Sequence, residues 1–157
     1  MKFTDYILID AINPELKATD KEGVIREMVQ SLLDAGGIKK EEYEGIVKAV
    51  IKREELGTTA IGRGIAFPET KHQSVQRTIG TVAISTDGIN FDSLDGEKVY
   101  IFCPILGVPG KHGDLMHAYD HLIRRLKDET FRETLKQCKT REAIIALLEE
   151  ADNKEKH

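Results

Sequence analysis

His117 and His121 stand four residues apart, a spacing that puts two imidazoles on one helical face and that zinc sites use. Ala118 occupies the place where a zinc protease carries its general-base glutamate, and no third ligand is evident, so both histidines are read as polar residues on a helix surface. Cys103 has no sequence-adjacent histidine to activate it as a nucleophile; it and Cys138 are read as small buried hydrophobes. Gly62-Arg63-Gly64 lacks the third glycine and the following helix of a dinucleotide fingerprint, and the longer loop lacks the lysine–hydroxyl ending of a P-loop. Neither a metal nor a cofactor is expected.

The elements that hold these residues follow from periodicity and punctuation. Val24, Ile25, Met28, Val29, Leu32 and Leu33 recur in steps of three and four, which predicts an amphipathic helix closed by Gly36-Gly37. Thr19-Asp20-Lys21-Glu22 ahead of it fits a capping box, hydroxyl at the cap and carboxylate three later. A second helix is predicted over residues 40–55, with Ile46, Val47, Val50 and Ile51 inward and Gly57 at its end. Tyr6-Ile7-Leu8-Ile9 reads as a short strand or extended arm. Residues 57–68 read as a glycine-rich loop entering a short strand that stops at Pro68.

Residues 78–86 predict a strand closed by the turn pair Asp87-Gly88, and Asp95-Gly96 marks another turn. Residues 99–106 are apolar on both faces, the mark of a central strand, with pairing interrupted near Pro104. Helices are predicted over 113–127 and 129–138, and a last one from Thr140 as an N-cap candidate. The order of helices, strands and helices predicts a three-layer α/β domain with a mixed sheet. Residues 1–150 form that domain, and 151–157 are read as a charged, frayed tail.

Composition narrows the function. At 157 residues the chain is one domain's worth and can bury roughly 70% of its unfolded surface. Lysine plus arginine number 23 against 27 aspartate plus glutamate, a net charge of −4 without a basic block, which argues against a nucleic-acid binder. The longest nearly apolar run, residues 99–110, is broken by two prolines and is shorter than the about 20 residues a membrane helix needs, so no membrane insertion is expected. The two cysteines fit a reducing compartment, and a cytoplasmic location is expected.

Four segments in order carry a resemblance. Arg53-Glu54-Glu55-Leu56-Gly57 is followed by Gly62-Arg63-Gly64-Ile65-Ala66-Phe67-Pro68. Then come Gly88-Ile89-Asn90-Phe91-Asp92-Ser93-Leu94-Asp95-Gly96 and Leu126-Lys127-Asp128-Glu129-Thr130-Phe131-Arg132. Together they resemble the landmarks of enzyme IIA domains of the bacterial phosphoenolpyruvate-dependent phosphotransferase system, of the fructose/mannitol type that includes the nitrogen-regulatory members. The resemblance implies a single α/β domain with a mixed sheet of about five strands flanked by helices. It also implies an HPr-like phosphocarrier, a sugar permease IIB domain or a regulated target protein as partner.

The resemblance further implies a phosphoacceptor histidine directly after Pro68 and a second histidine early in the helix after the central strand. This chain has Glu69 and Leu115 at those places and keeps the family's arginine as Arg53. An imidazole is a good nucleophile toward phosphorus near neutral pH, whereas a carboxylate is a weak one that must approach an anionic donor. Losing one transition-state donor commonly costs about 3–4 kcal/mol of barrier. The expected function is therefore a regulatory or degenerate IIA-like protein, with Glu69 and Arg53 as the reactive pair. Pro68, Thr70, His72, Leu115, Gly62 and Gly64 are its expected partner-binding residues.

Glu69 reads either as a fixed partial mimic of a phosphoryl charge of roughly −1.5 to −2, with Arg53 as its counter-charge, or as drift at a lost site. A glutamate introduced deliberately would leave the same pattern. Two alternatives stay open: an active phosphoryl carrier from HPr to a IIB domain, through Glu69 or through His72 or His112, and an interaction module whose binding surface lies elsewhere.

Overall fold

The computed structural model describes residues 1–154. Its first helix, α1 (Lys21–Asp34), is capped by Asp20, whose side chain accepts from the Gly23 amide at 2.7 Å. The cap thus lies one residue later than the predicted Thr19. The aspartate wins because Gly23 leaves room for it: a Cβ there would come within 2.8 Å of the Asp20 carboxylate. Val24, Ile25, Met28, Val29 and Leu32 form the buried face. Gly36, at φ +79°, turns the chain out of the helix, and Gly37 donates back to the Leu32 carbonyl. A short 3-10 turn, Lys40–Glu42, leads into α2 (Tyr43–Leu56).

The N-terminal arm is not a strand. Two 3-10 turns, Phe3–Asp5 and Ile9–Ala11, flank a single bridge between Ile7 and Gly80. Loop 57–68 holds two strands rather than one: β1 (Ala60–Gly62) and β2 (Ile65–Ala66) form a tight hairpin. Arg63 (φ 58°) and Gly64 (φ 76°) are its two turn residues, the left-handed pair such a hairpin requires. Asp95 holds the turn by accepting from the Arg63 amide at 3.0 Å.

After Pro68 comes β3 (Glu69–Lys71), then β4 (Ile79–Gly80) and β5 (Ala83–Ile89). The turn signal Asp87-Gly88 does not end β5. It is absorbed into an irregularity of register between Ile84 and Ile89, with Gly88 at φ 81° and the Ser85 hydroxyl accepting from its amide. The apolar run 99–106 splits into β6 (Val99–Phe102) and β7 (Ile105–Gly107) on either side of Pro104.

Seven short strands thus make two mixed sheets, β1-β2-β6-β5 and β3-β7-β4, where the sequence predicted about five in one. The reason lies in two prolines. Ile65 pairs with Ile101 and Glu69 with Ile105, both parallel and with the same sequence offset, so one pair of segments runs through both sheets. The same offset sets Pro68 level with Pro104, neither of which has an amide to donate, and the strands part there although the Pro68 carbonyl still accepts from Ile105.

Helices cover both faces. On one side α1 and α2, the latter through Ile46 and Val50, pack with Phe91 and Phe102; on the other, α3 (His112–Leu126), α4 (Glu129–Gln137) and α5 (Arg141–Lys154) pack with Ile65, Phe67, Ile101 and Cys103. The Thr140 hydroxyl accepts from Ala143, as the sequence predicted for the start of α5. The predicted tail needs correction: α5 continues to Lys154, and Ala151 and Asp152 are buried. Asp152 accepts from the Phe3 amide at 2.9 Å, which ties the first turn to the last helix. The remaining tail residues, 155–157, lie outside the described ones.

Candidate functional site

Arg53 sits in the last turn of α2, and the side chain beside it fixes that turn. Glu54 is buried, and its two oxygens accept from the Thr59 amide at 2.7 Å and the Thr59 hydroxyl at 2.6 Å. The loop after α2 is thereby bound to the helix end. The Arg53 side chain, 38% exposed, donates to the Gly57 carbonyl (3.0 Å) and to Glu69 Oε1 (3.1 Å, from Nε). Glu69 opens β3 where the ladder resumes after Pro68, whose carbonyl accepts from Ile105. Its side chain is 18% exposed. Strand alternation puts Thr70, paired with Leu106, on the opposite face from Glu69.

Leu115 is 2% exposed and packs on Gly107, where a Cβ would lie 3.2 Å from Leu115 Cδ1. Gly107 is the register partner of Lys71, two residues beyond Glu69, so Leu115 stands next to the β3–β7 pair as core and offers no surface to a partner. His72 turns away from the pair. Its Nδ1 lies 2.7 Å from the Ser74 hydroxyl and accepts from the Ser74 amide, and its Nε2 lies against Gly45. Gly45 is eight residues before Arg53 on α2, about 12 Å along the axis. His112 stands exposed at the first turn of α3.

Gly62 and Gly64 are at the hairpin turn, against Asp95 and Tyr100 respectively. Four residues lie between Gly64 and Glu69, a span of about 16 Å when extended, so these glycines shape the hairpin and not the pair. Backbone amides, Glu97's first, and the Ser93 hydroxyl hold the Asp95 carboxyl below its usual range, keeping it ionised as the turn's anchor.

Sequence reasoning missed Tyr119. Its ring meets Phe67 edge-on at 5.1 Å. Burial, helped by the Glu69 and Asp120 carboxylates and opposed by Arg53, raises its phenol above the ordinary value, so a neutral hydroxyl group faces the pair's field. The available signal was its place one helical turn after Leu115. The histidine pair read as surface polar is likewise corrected. His117 is exposed, but His121 is buried, its Nδ1 2.7 Å from the Tyr6 hydroxyl and its ring between Phe3 and Tyr6. The N-terminal arm covers that side of α3. Cys103 is buried as expected, whereas Cys138 is only partly so.

The mixed-sheet α/β frame thus brings the end of α2 to the start of β3 and closes Arg53 onto Glu69 there. The chain belongs to the family described as "Phosphoenolpyruvate-dependent sugar phosphotransferase system, EIIA 2", which matches residues 5–151. It is 31% identical to the PTS system fructose-specific EIIABC component of Bacillus subtilis over 97% of its own length, but spans only 24% of that protein. It is 28% identical to the nitrogen regulatory protein of Bradyrhizobium diazoefficiens, with 94% and 95% of the two chains covered. The crystal structure of nitrogen regulatory protein IIA-Ntr from Neisseria meningitidis superposes with a TM-score of 0.81 at 21% identity, covering 92% of this chain and 97% of that one. Among the described residues no helix is long and apolar enough to cross a membrane.

Proposed function

We propose that this chain is a regulatory or degenerate IIA protein that does not carry phosphate on histidine. Glu69 stands where the family resemblance puts the acceptor and Leu115 where it puts the second histidine. One observation carries the reading: the arginine that would steady an incoming phosphoryl group is already taken by Glu69, at 3.1 Å. An anionic donor must displace a carboxylate that is itself a poor nucleophile and repels it. His72, the nearest substitute in sequence, is held against Gly45 and Ser74. The fixed charge makes the site a partial, permanent copy of a phosphorylated one. An HPr-like phosphocarrier, a sugar permease IIB domain or a regulated target then docks without phosphoryl exchange, in the cytoplasm.

Incubation with phosphoenolpyruvate, enzyme I and HPr of the same source, read by intact mass, tests this. No added phosphoryl group is expected. A stable adduct overturns the reading, and its chemistry assigns the acceptor: acid-labile and alkali-stable for histidine, hydroxylamine-sensitive for Glu69. If Glu69→Gln captures partners as tightly as wild type, the charge mimic fails and drift at a lost site remains.

A further inference from the structure

Leu56 is 81% exposed and Leu94 75%, the two most exposed large apolar side chains in the described structure. They lie on neighbouring segments. The Thr58 hydroxyl donates to the Phe91 carbonyl at 3.2 Å and the Leu94 amide to the Ala60 carbonyl at 3.0 Å, so residues 56–61 and 91–94 run side by side. The pairing sets Leu94 beside Ala60 and leaves Leu56 two residues ahead of Thr58, so the two leucines flank this strip at its two ends.

Between these segments and the start of α1 opens a cleft of about 440 Å³. Ile25 and Ile51 give it apolar surface, and Glu22, Glu54, Glu55 and Asp92 line it with carboxylates against one ammonium, that of Lys21. Lys21 is occupied, 3.1 Å from Asp92 Oδ2 and 3.9 Å from Glu54 Oε2, and Arg26 reaches Glu22 at 3.3 Å. The balance stays negative.

We infer that this face docks a basic, amphipathic segment of a partner protein. A lysine or arginine enters the cleft with its aliphatic stem along Ile25 and Ile51 and its charge among Glu55 and Asp92, while apolar neighbours cover Leu56 and Leu94. Long cationic side chains suit such a cleft because stem and head want different surroundings. Opposed charge speeds encounter and fixes register, and the exposed leucines supply the buried area. The face is continuous with the candidate site, since Gly57 lines the cleft and accepts from Arg53. It does not depend on what Glu69 does.

A synthetic amphipathic helix of leucine and lysine is the probe, followed by amide shifts of the isotope-labelled protein. Shifts clustered at Gly57, Thr58, Asp92 and Leu94 are expected. Leu56→Ser with Leu94→Ser should weaken binding roughly tenfold. Glu55→Gln with Asp92→Asn should weaken it and flatten its salt dependence. These side chains are exposed or partly exposed, and undisturbed remaining amide shifts certify the variants as folded. Glu69→Gln should bind the probe like wild type, which separates failure here from failure of the charge reading at Glu69. Shifts spread over other acidic surfaces, affinity unchanged in the variants, or equal binding of a peptide with glutamate for lysine overturns the inference. Concentration-dependent dimerisation abolished by Leu56→Ser also overturns it, by naming a second copy as occupant.

Discussion

Glu54 and Glu69, fifteen residues apart, show how environment decides what a carboxylate is worth. Glu69 pairs with a partly exposed guanidinium, and such pairs contribute about 0–1 kcal/mol. Glu69→Gln should therefore leave the urea midpoint nearly unchanged, within about 1 kcal/mol, even though it removes the proposed signal. Glu54 lies in the core and satisfies both donors of Thr59. Glu54→Ala strands them and should cost about 2–3 kcal/mol in the same titration. A larger loss from Glu69→Gln than from Glu54→Ala would reverse this ranking.

His121 gives the residue scale a pH dependence. Burial holds its imidazole below the ordinary value, with Arg125, the N-terminal amine and Arg124 pushing the same way and Asp152 opposing. The folded chain thus binds fewer protons here than the unfolded one. The stabilisation is complete above the unfolded value of about 6.5 and is lost as pH falls below it toward the folded value. Compared with His121→Gln, which does not titrate, wild type should lose urea stability between about pH 7.5 and pH 5.5. A constant gap between the two would show that His121 does not titrate differently on folding.

At the level of elements, helices were legible and strands less so. Helical periodicity survives a one-residue error in its cap, which is why α1 kept its buried face although Asp20 replaced Thr19 as the cap. The strands are short, and punctuation misled: Asp87-Gly88 reads as a turn but is a strand irregularity, while Arg63-Gly64 is a turn hidden inside what read as a loop. Pairing of β5 with the distant β6 decided the first. Gly80 carries the clearest element-scale test. A Cβ there would come within 2.6 Å of the Pro104 carbonyl, a backbone atom pinned between two strands. Gly80→Ala should cost about 1–3 kcal/mol by chemical denaturation or fail to fold, and neutrality would show that the seam at Pro104 yields.

For the whole molecule, the three-layer architecture was legible and its closure was not. Arg53 and Glu69 were readable as a pair because a motif framed each, whereas Tyr119 and the buried His121 depend on which elements cover α3. The misread C-terminus has the same origin. Residues 151–157 look like solvent-bound charge, yet Ala151 is buried, and Asp152 is buried because the first turn supplies it with a donor. Removing residues 151–157 should lower the thermal midpoint by several degrees, since a loss of about 1–2 kcal/mol is worth that much in a domain of this size. An unchanged midpoint would restore the tail reading.

The contact between Phe3 and Asp152 has a practical corollary for anyone rebuilding the chain. The first turn and the last turn of α5 share one pole of the domain. A brief linker could weld those two turns, with a new opening cut at the exposed bend around Pro109-Gly110, to give a permuted molecule wrapped on the same core.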